Sequence, residues 1–266
     1  MNKKISLLYK AVRNPFKVIR YIFYIFSLIK NNVEITLSTK VKASGGGERL
    51  VIKNLQSSRN SNNFVTLTHI QRYDWLIPHV KDLRCLDAGC GSGYGTYFLS
   101  ENTTKMIIGI DISADGIKYA NRHYKGGNID FMQMNVCNLG FVDNFFDAVI
   151  CFDVIEHLNE EDQIRLISEI ARVLNESGLL YIGCPNGKLS QGGNPFHLKE
   201  LTKKEFELLL QEFFKNIKVL GQDIIVNGIR QKENWNKYRL NLSYLNLTIV
   251  EEDSDLCHGL LAICKK

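Results

Sequence analysis

Short apolar runs alternate with amphipathic stretches along most of the chain after residue 82. The apolar runs are bounded by glycine, aspartate or asparagine, and the longest of them, 145–152, suits a strand that is buried on both faces. The predicted strands are 84–87, 106–111, 129–134, 145–152, 179–184, 217–220 and 260–264. The predicted helices are 68–80, 93–101, 113–122, 159–174 and 202–214. This alternation predicts an α/β domain, a doubly wound parallel sheet with helices on both faces.

Several helix starts are marked by capping residues. Ser113 and Asn159 are predicted N-caps, and Thr202 with Glu205 matches a capping box. Gly178 is predicted to end the turn before the fifth strand, and a variable insert is predicted between the last two strands.

The first 32 residues follow a different pattern, apolar with basic interruptions and with no acidic residue before Glu34. The pair Asn14-Pro15 has the form of an N-cap followed by a first-turn proline, so the leader is predicted to contain two helices. One side of this pattern is basic and the opposite side is apolar: the basic side has Lys10, Arg13, Lys17 and Arg20, and the apolar side has Leu8, Val12, Phe16, Ile19 and Phe23. The basic residues are Lys3, Lys4, Lys10, Arg13, Lys17, Arg20 and Lys30.

Three interpretations of the leader follow from this pattern: a membrane-surface helix within residues 1–30, a lid or dimer element that packs on the main domain, and an organellar transit peptide. The apolar stretch 21–29 is too short to cross a bilayer, and no small-residue cleavage site follows it. Neither a spanning helix nor a secretory signal is therefore predicted.

Composition limits the function classes. A hydrophobic content of 45% is ordinary for a globular protein, and the mild net charge of +5 does not predict a nucleic-acid partner. The seven cysteines form no Cys-x-x-Cys pair and mostly lie in apolar runs, so they are predicted to be reduced core residues in a cytoplasmic setting. The predicted organisation is a leader at 1–32, a polar and glycine-rich linker at 33–63 and one domain at 64–266.

The stretch 84–95 carries the most specific signal, because a predicted strand runs into a glycine loop and then into a helix. The dinucleotide-binding pattern Gly-x-Gly-x-x-Gly fails in both registers, since its third glycine would fall on Tyr94 or Thr96. The residues instead spell acidic-x-Gly-x-Gly-x-Gly, which starts at Asp87. A second acid, Asp111, ends the next predicted strand at the distance where an acid can hold ribose hydroxyls.

The motif that starts at Asp87 resembles motif I of the class I S-adenosylmethionine-dependent methyltransferases. The resemblance implies a Rossmann-like seven-stranded sheet whose last two strands form an antiparallel hairpin, and S-adenosylmethionine as the cofactor. It also implies a set of cofactor-binding residues: Asp87, Gly89, Cys90, Gly91, Gly93, Asp111, Ile112, Asn135, Val136 and Phe152.

Two of these positions need comment. The family usually has an acid near the adenine where this chain has Asn135, and an amide can still donate and accept hydrogen bonds there. The resemblance places Phe152, at the end of the fourth strand, beside the cationic sulfur.

Two histidines are candidates for catalysis, His157 after the fourth strand and His197 in the long glycine-rich loop after the fifth. Either can act as a base for a hydroxyl acceptor, or can simply hydrogen-bond its own loop. Asp153 and His157 are spaced i, i+4, but no third ligand is visible, so no metal site is predicted.

The acceptor is predicted from a narrower resemblance. The pattern His69-x-x-Arg72-Tyr73, preceded by Gly47-Glu48-Arg49, resembles a bacterial methyltransferase subgroup that is associated with surface-polysaccharide pathways. This implies O-methylation, by in-line transfer, of a sugar in a nucleotide- or lipid-linked glycan at the inner face of the membrane. A quinone or lipid acceptor and a non-catalytic cofactor-binding module are the alternatives, and a nicotinamide dehydrogenase is the weakest rival.

Overall fold

The computed structural model describes residues 34–35, 50–51, 64–102, 104–190, 194–226, 229–230, 245–250 and 254–266. The predicted leader lies outside the described residues, as do most of the predicted linker and the Gly47-Glu48-Arg49 stretch. The domain boundaries at residues 32 and 63 therefore stay predictions.

The described part of the chain contains short N-terminal strands followed by alternating helices and strands. The strands are β1 (Glu34–Ile35), β2 (Leu50–Val51), β3 (Arg84–Ala88), β4 (Met106–Asp111), β5 (Ile129–Gln133), β6 (Phe146–Phe152), β7 (Leu174–Pro185), β8 (Asn216–Val226), β9 (Ile229–Arg230), β10 (Leu245–Val250) and β11 (Gly259–Lys265). The helices are α1 (Phe64–Leu76), α2 (Tyr94–Asn102), α3 (Ala114–His123), α4 (Glu160–Val173) and α5 (Lys203–Gln211). Short 3-10 turns occupy Ile77–His79, Ile155–His157 and Ser254–Leu256.

The main sheet has the strand order β10-β8-β11-β7-β6-β3-β4-β5, with β9 paired to β8, while β1 and β2 pair separately. Strands β3 to β7 are parallel to one another, and β11 inserts antiparallel between β7 and β8. This confirms the predicted Rossmann-like core of seven strands whose last two are antiparallel. The remaining strands extend the β8 edge.

Two predicted boundaries in the second half of the domain were wrong. β7 begins at Leu174, directly after α4, so Gly178 lies inside the strand rather than in a turn before it. Leu174 pairs with Phe146 next to a register shift between β6 and β7, and both side chains are fully buried. This pairing favours strand geometry already at Leu174. β8 continues to Val226 and pairs with β10, so part of the predicted insert belongs to the sheet.

The predicted caps are present. The side chain of Ser113 accepts a hydrogen bond from the Gly116 amide, and that of Asn159 accepts one from the Asp162 amide. Thr202 and Glu205 form the reciprocal bonds of a capping box at the start of α5. These bonds fix where each helix starts relative to the preceding loop.

The core lies in two layers, one on each face of the sheet. One layer contains buried residues of α4 and α5, and the other contains those of α1, α2 and α3. Because strands β3 to β6 are parallel, the loops that follow them gather at one edge, where ligands bind in open α/β sheets. Within the described ranges, no helix is long and apolar enough to cross a membrane.

Candidate functional site

A glycine loop joins β3 to α2 at the carboxyl edge of the sheet. Gly89, Gly91 and Gly93 have φ values of 86°, 58° and 84°, in the left-handed region that other residues rarely adopt. A Cβ on Gly89 would come within 2.2 Å of a methyl group of Val154, whereas a Cβ on Gly91 would meet nothing within 4 Å. The loop is thus closely packed below and open at Gly91, as a backbone cradle for a ligand requires.

The loop is tied to the end of the neighbouring strand β4. The amides of Gly89 and Cys90 both donate to the Ile110 carbonyl at 2.8 Å. The Gly91 amide donates to one oxygen of the Asp111 carboxylate at 3.0 Å, and the Ser113 amide donates to the other at 2.8 Å. Asp111 is therefore a half-buried carboxylate at the lip of the loop, directly before Ile112.

Asp87 lies beneath the loop rather than on its open side, because its side chain is only 1% exposed. Its carboxylate accepts a hydrogen bond from the Thr96 hydroxyl at 2.6 Å and longer ones from the Tyr73 hydroxyl at 3.4 Å. Burial raises the pKa of Asp87 to about 6, although these hydroxyls lower it. In this position Asp87 joins β3 to α2 and α1.

The remaining predicted cofactor contacts follow β5 and end β6. Asn135 is exposed, and its side-chain oxygen accepts from the Cys137 amide at 2.9 Å, which holds the turn after β5. Val136 is buried in the core. Phe152 is 7% exposed and packs edge-on to the Tyr73 ring, with the Arg72 guanidinium 5.7 Å from its centroid. The structure thus places Asn135 at the surface and Phe152 within an aromatic cluster.

A polar network from α1 meets the end of β6. Arg72 donates to Asp153 at 2.8 Å and to Gln222 on β8 at 2.6 Å. The Nε2 atom of His69 lies 3.2 Å from the same Asp153 carboxylate, at ion-pair distance, and its Nδ1 atom lies 2.6 Å from the Tyr94 hydroxyl. The predicted His-x-x-Arg-Tyr motif therefore docks α1 on Asp153, which itself has a left-handed φ of 54°.

Burial and charge act in opposite directions on this network. Burial raises the pKa of Asp153, but the adjacent Arg72 and His69 outweigh that effect and hold it below its usual range. Burial lowers the pKa of His69 to about 4, more than Asp153 raises it. At neutral pH the network consequently contains an ionised Asp153, a cationic Arg72 and a neutral His69.

The two candidate catalytic histidines meet, although they come from different loops. The ring centroids of His157 and His197 are 4.9 Å apart and the ring planes are inclined at 78°. His157 Nδ1 lies 3.1 Å from the Phe196 carbonyl oxygen, and His197 Nδ1 pairs with the Glu200 carboxylate. Burial lowers the pKa of His157, and the neighbouring His197 lowers it further. Both residues belong to one site at the ends of β6 and β7.

Glu156 is a site residue that the sequence interpretation missed. Its side chain is 1% exposed, and burial together with the Asp153 charge raises its pKa well above the usual range. Its backbone carbonyl accepts from the amides of Leu198 and Lys199, which joins the loops that carry the two histidines. The available signal was an acid next to a candidate histidine, directly after a strand that is predicted to be buried.

Comparison with known proteins agrees with this geometry. Residues 86–182 match the family model of the methyltransferase domain. A probable S-adenosylmethionine-dependent methyltransferase of Mycobacterium tuberculosis is 33% identical over 165 residues, which are 60% of this chain and 58% of that protein. A fatty-acid O-methyltransferase of Mycolicibacterium smegmatis is 33% identical over 100 residues, 37% of this chain and 36% of that protein.

A solved S-adenosylmethionine-dependent methyltransferase from Archaeoglobus fulgidus has the same fold, with a TM-score of 0.55 at 20% identity, covering 79% of this chain and 97% of that one. The chain spans 58% of the length of this M. tuberculosis relative.

Proposed function

We propose that the protein is a class I S-adenosylmethionine-dependent methyltransferase that methylates an acceptor hydroxyl, since residues 86–182 match the family model of the methyltransferase domain. The observation that carries the proposal is the open loop of left-handed glycines held on the Asp111 carboxylate. Such a loop lets a ligand approach the backbone closely, and the carboxylate can accept hydrogen bonds from ribose hydroxyls.

The residues of this edge fit the cofactor. Gly91 offers open space and Asp111 a half-buried carboxylate at the lip of the loop, so these two would hold the cofactor between the loop and β4. When bound, S-adenosylmethionine supplies an electrophilic methyl group on a cationic sulfur. Asp87 would support the loop from beneath, and the other proposed contacts are Gly89, Cys90, Gly93, Ile112, Asn135, Val136 and Phe152.

The histidine pair favours a hydroxyl acceptor. In the transfer, the acceptor oxygen forms a bond to the methyl carbon, the carbon–sulfur bond breaks, and the hydroxyl proton has to leave. Alignment of the reactants supplies most of the rate, and a nearby group that removes or acidifies this proton adds to it. His157 and His197 are the side chains proposed for that task, since they meet beside the end of β6.

We further propose a sugar hydroxyl of a nucleotide- or lipid-linked glycan as the acceptor. The support is the His69-x-x-Arg72-Tyr73 pattern, which resembles that of the glycan-associated subgroup. The likeness to a fatty-acid O-methyltransferase favours a second candidate, a lipid or quinone intermediate. Either acceptor suits the proposed contact of residues 1–30 with the inner membrane surface, at which a lipid-linked substrate would lie.

An acceptor screen tests these proposals. The full chain is incubated with methyl-labelled S-adenosylmethionine and, in separate reactions, a nucleotide-linked glycan, a lipid-linked glycan, a quinone-type phenol and a fatty acid. Label in a glycan, with release of S-adenosylhomocysteine, is the expected result. Label only in the phenol or the fatty acid would remove the glycan proposal. Cofactor binding without release of S-adenosylhomocysteine in any reaction would leave a non-catalytic module.

The histidines are tested by substitution. His157→Ala and His197→Ala are expected to lower turnover while they leave cofactor affinity unchanged, because both side chains lie on the acceptor side in this proposal. The matched control is His123→Ala, which removes an exposed imidazole at the end of α3. Parental turnover in both variants would show that neither histidine takes part.

A further inference from the structure

Three metal-ligating side chains converge beside the end of β6. One ligand atom from each of Glu156, His157 and His197 lies within 4.8 Å of the other two, and these three residues form the histidine–glutamate cluster. Two atoms bonded at about 2.1 Å to one cation lie at most about 4.2 Å apart, so ligand atoms farther apart than this would have to move closer together on binding. We propose that the cluster binds a divalent transition-metal cation, with Mn²⁺ as the representative ion.

The hydrogen bond on His157 orients this ring for a cation. Its Nδ1 atom lies 3.1 Å from the carbonyl oxygen of Phe196, which can only accept, so Nδ1 carries the proton. The lone pair of the neutral ring is consequently on Nε2. A metal-bound histidine characteristically donates its other ring N–H to a carbonyl or carboxylate in this way.

His197 is arranged in the same manner by a different partner. Its Nδ1 atom pairs with the Glu200 carboxylate, which gives the carboxylate–histidine arrangement known around metal ions. The Asn194 side-chain oxygen accepts from the Phe196 amide at 3.0 Å, so the amide nitrogen of Asn194 is the group that faces Nε2 at 2.9 Å. Nε2 therefore accepts a hydrogen bond, which a bound cation would replace.

Ionised on binding a cation, Glu156 would supply the negative charge and the third ligand atom. Its side chain is 1% exposed, and one carboxylate oxygen has no hydrogen-bond partner among the described residues. A buried polar atom without a partner is costly, and two imidazole lone pairs cannot donate to it. A cation at the centre of the cluster would satisfy all three groups at once.

The adjacent Asp153 is not part of the cluster. Its carboxylate accepts from Arg72 at 2.8 Å and faces His69 at 3.2 Å, so its charge is already compensated. The sequence interpretation paired Asp153 with His157 and found no third ligand. The fold instead places His197, from another loop, beside Glu156 and His157. These residues supply three ligands, so the absence of a third ligand no longer argues against a metal site.

The ligand set indicates the class of cation. Two imidazole nitrogens and one carboxylate oxygen suit first-row transition metals, whereas Mg²⁺ prefers oxygen ligands. Three protein ligands leave coordination positions open, and acceptor hydroxyls can occupy them. The inference deepens the proposed function and rests on it only for the role of the cation in methyl transfer. A bound cation would lower the pKa of the coordinated acceptor hydroxyl. The proton of that hydroxyl would leave to water, and both histidines would stay ligands.

A binding experiment without cofactor or acceptor tests the site. The tag-free full chain is stripped with a chelator and titrated with Mn²⁺, and the free ion is followed by electron paramagnetic resonance. One Mn²⁺ per chain is expected, with affinity at least about tenfold weaker in His157→Ala, His197→Ala and Glu156→Gln. Circular dichroism melts establish that each variant is folded.

A substitution next to the ligands sharpens the test. Glu200→Gln should weaken Mn²⁺ binding about tenfold, because it weakens the hydrogen bond that orients His197. Glu212→Gln, at an exposed position after α5, is the matched control and should bind like the parent. Absence of Mn²⁺ binding by the parent chain, or parental binding in all three ligand variants, would overturn the proposal.

The same protein sample separates this proposal from the proposed function. Binding of Mn²⁺ without binding of S-adenosylmethionine would keep the cation site and remove the methyltransferase proposal. Binding of S-adenosylmethionine by a chain that does not bind Mn²⁺ would keep the methyltransferase proposal and remove the cation site.

Discussion

At the scale of single residues, Asp111 connects the glycine loop to the site of the proposed cofactor. Its two carboxylate oxygens accept from the Gly91 and Ser113 amides, and they are also the proposed ribose contact. Asp111→Ala should therefore lower the affinity for S-adenosylmethionine at least about tenfold, since a hydrogen bond to a charged group contributes about 1.5–3 kcal/mol. Isothermal titration calorimetry measures this change directly.

The control for Asp111 is Asp115→Ala, an exposed carboxylate in the first turn of α3 that removes the same charge. It should bind S-adenosylmethionine with parental affinity. Equal affinity in Asp111→Ala and the parent would show that the ribose contact has been assigned to the wrong residue.

Asp87 should make stability depend on pH. Its pKa of about 6 in the folded protein lies above that of an unfolded aspartate, about 4, so between these values the native state binds the proton and the unfolded state does not. The free energy of unfolding contributed by Asp87 is thus fully present below about pH 4 and is lost as the pH rises through about 6. The expected loss is up to about 3 kcal/mol.

The measurement is chemical denaturation of the parent and Asp87→Asn at several pH values between about 4 and 7. The difference in unfolding free energy between the two proteins should fall as the pH rises, because asparagine does not titrate. A difference that stays constant would mean that the buried carboxylate is ionised throughout.

The sequence identified many of these residues but did not indicate which of them contact one another in the fold. Gly89, Gly91 and Gly93 were visible because their spacing is local and their φ values demand glycine. The contact between His157 and His197 joins two loops that are far apart in sequence, so no local pattern encodes it. Glu156 was missed because a buried acid has no periodicity of its own and is explained only by its neighbours in space.

At the scale of elements, an ion pair helps to hold helix α1 on the sheet. Arg72 reaches both Asp153 after β6 and Gln222 on β8, and its own side chain is only 10% exposed. Removal of one partner of such a pair leaves an uncompensated charge in a mostly buried position, which is costly. The pair thus makes the docking of α1 sensitive to either residue alone.

A double-mutant cycle on this pair tests the coupling. Arg72→Met should cost about 3 kcal/mol, and the combined Arg72→Met and Asp153→Asn variant should cost clearly less than the sum of the two single changes. Asparagine tolerates the left-handed backbone at position 153, so Asp153→Asn removes charge without adding strain. Denaturant unfolding of the four proteins gives the coupling energy, and additive costs would contradict a direct pair.

Element boundaries were predictable where a cap or a breaker marks them. Ser113, Asn159 and Thr202 fixed the starts of three helices, because a side chain that accepts an amide hydrogen bond is a local signal. The start of β7 was not predictable, because Leu174 is in the strand through its pairing with Phe146. The strand β10 was missed for the same reason, since it exists through its pairing with β8.

At the scale of the whole molecule, parallel strand order explains why residues from separate loops form one site. Strands β3, β4 and β6 end at the same edge, where Asp87 and Asp111 lie at the ends of β3 and β4 and Glu156 lies shortly after β6. The alternation of strands and helices was enough to predict this edge. The antiparallel direction of β11 was predicted from the family resemblance, because the hydrophobic pattern of this strand did not indicate its direction.

The proposed membrane contact concerns the whole chain, since it would bring the domain to a lipid-linked substrate. Residues 1–32 lie outside the described ranges, and their sequence combines seven basic residues with none that is acidic. Each basic residue near an anionic surface contributes about 1 kcal/mol. The full chain should therefore sediment with anionic phosphatidylglycerol vesicles but not with neutral phosphatidylcholine vesicles, and added salt should weaken this binding.

Charge reversal assigns that contact to a segment. Lys10→Glu with Lys17→Glu should weaken vesicle binding about tenfold or more, because two attractive charges become repulsive. The matched control, Lys118→Glu with Lys125→Glu, changes the net charge equally at exposed positions in and after α3 and should bind nearly as the parent does. Equal losses in both double variants would indicate attraction by net charge alone. The leader would then serve a different purpose, such as a lid or dimer element.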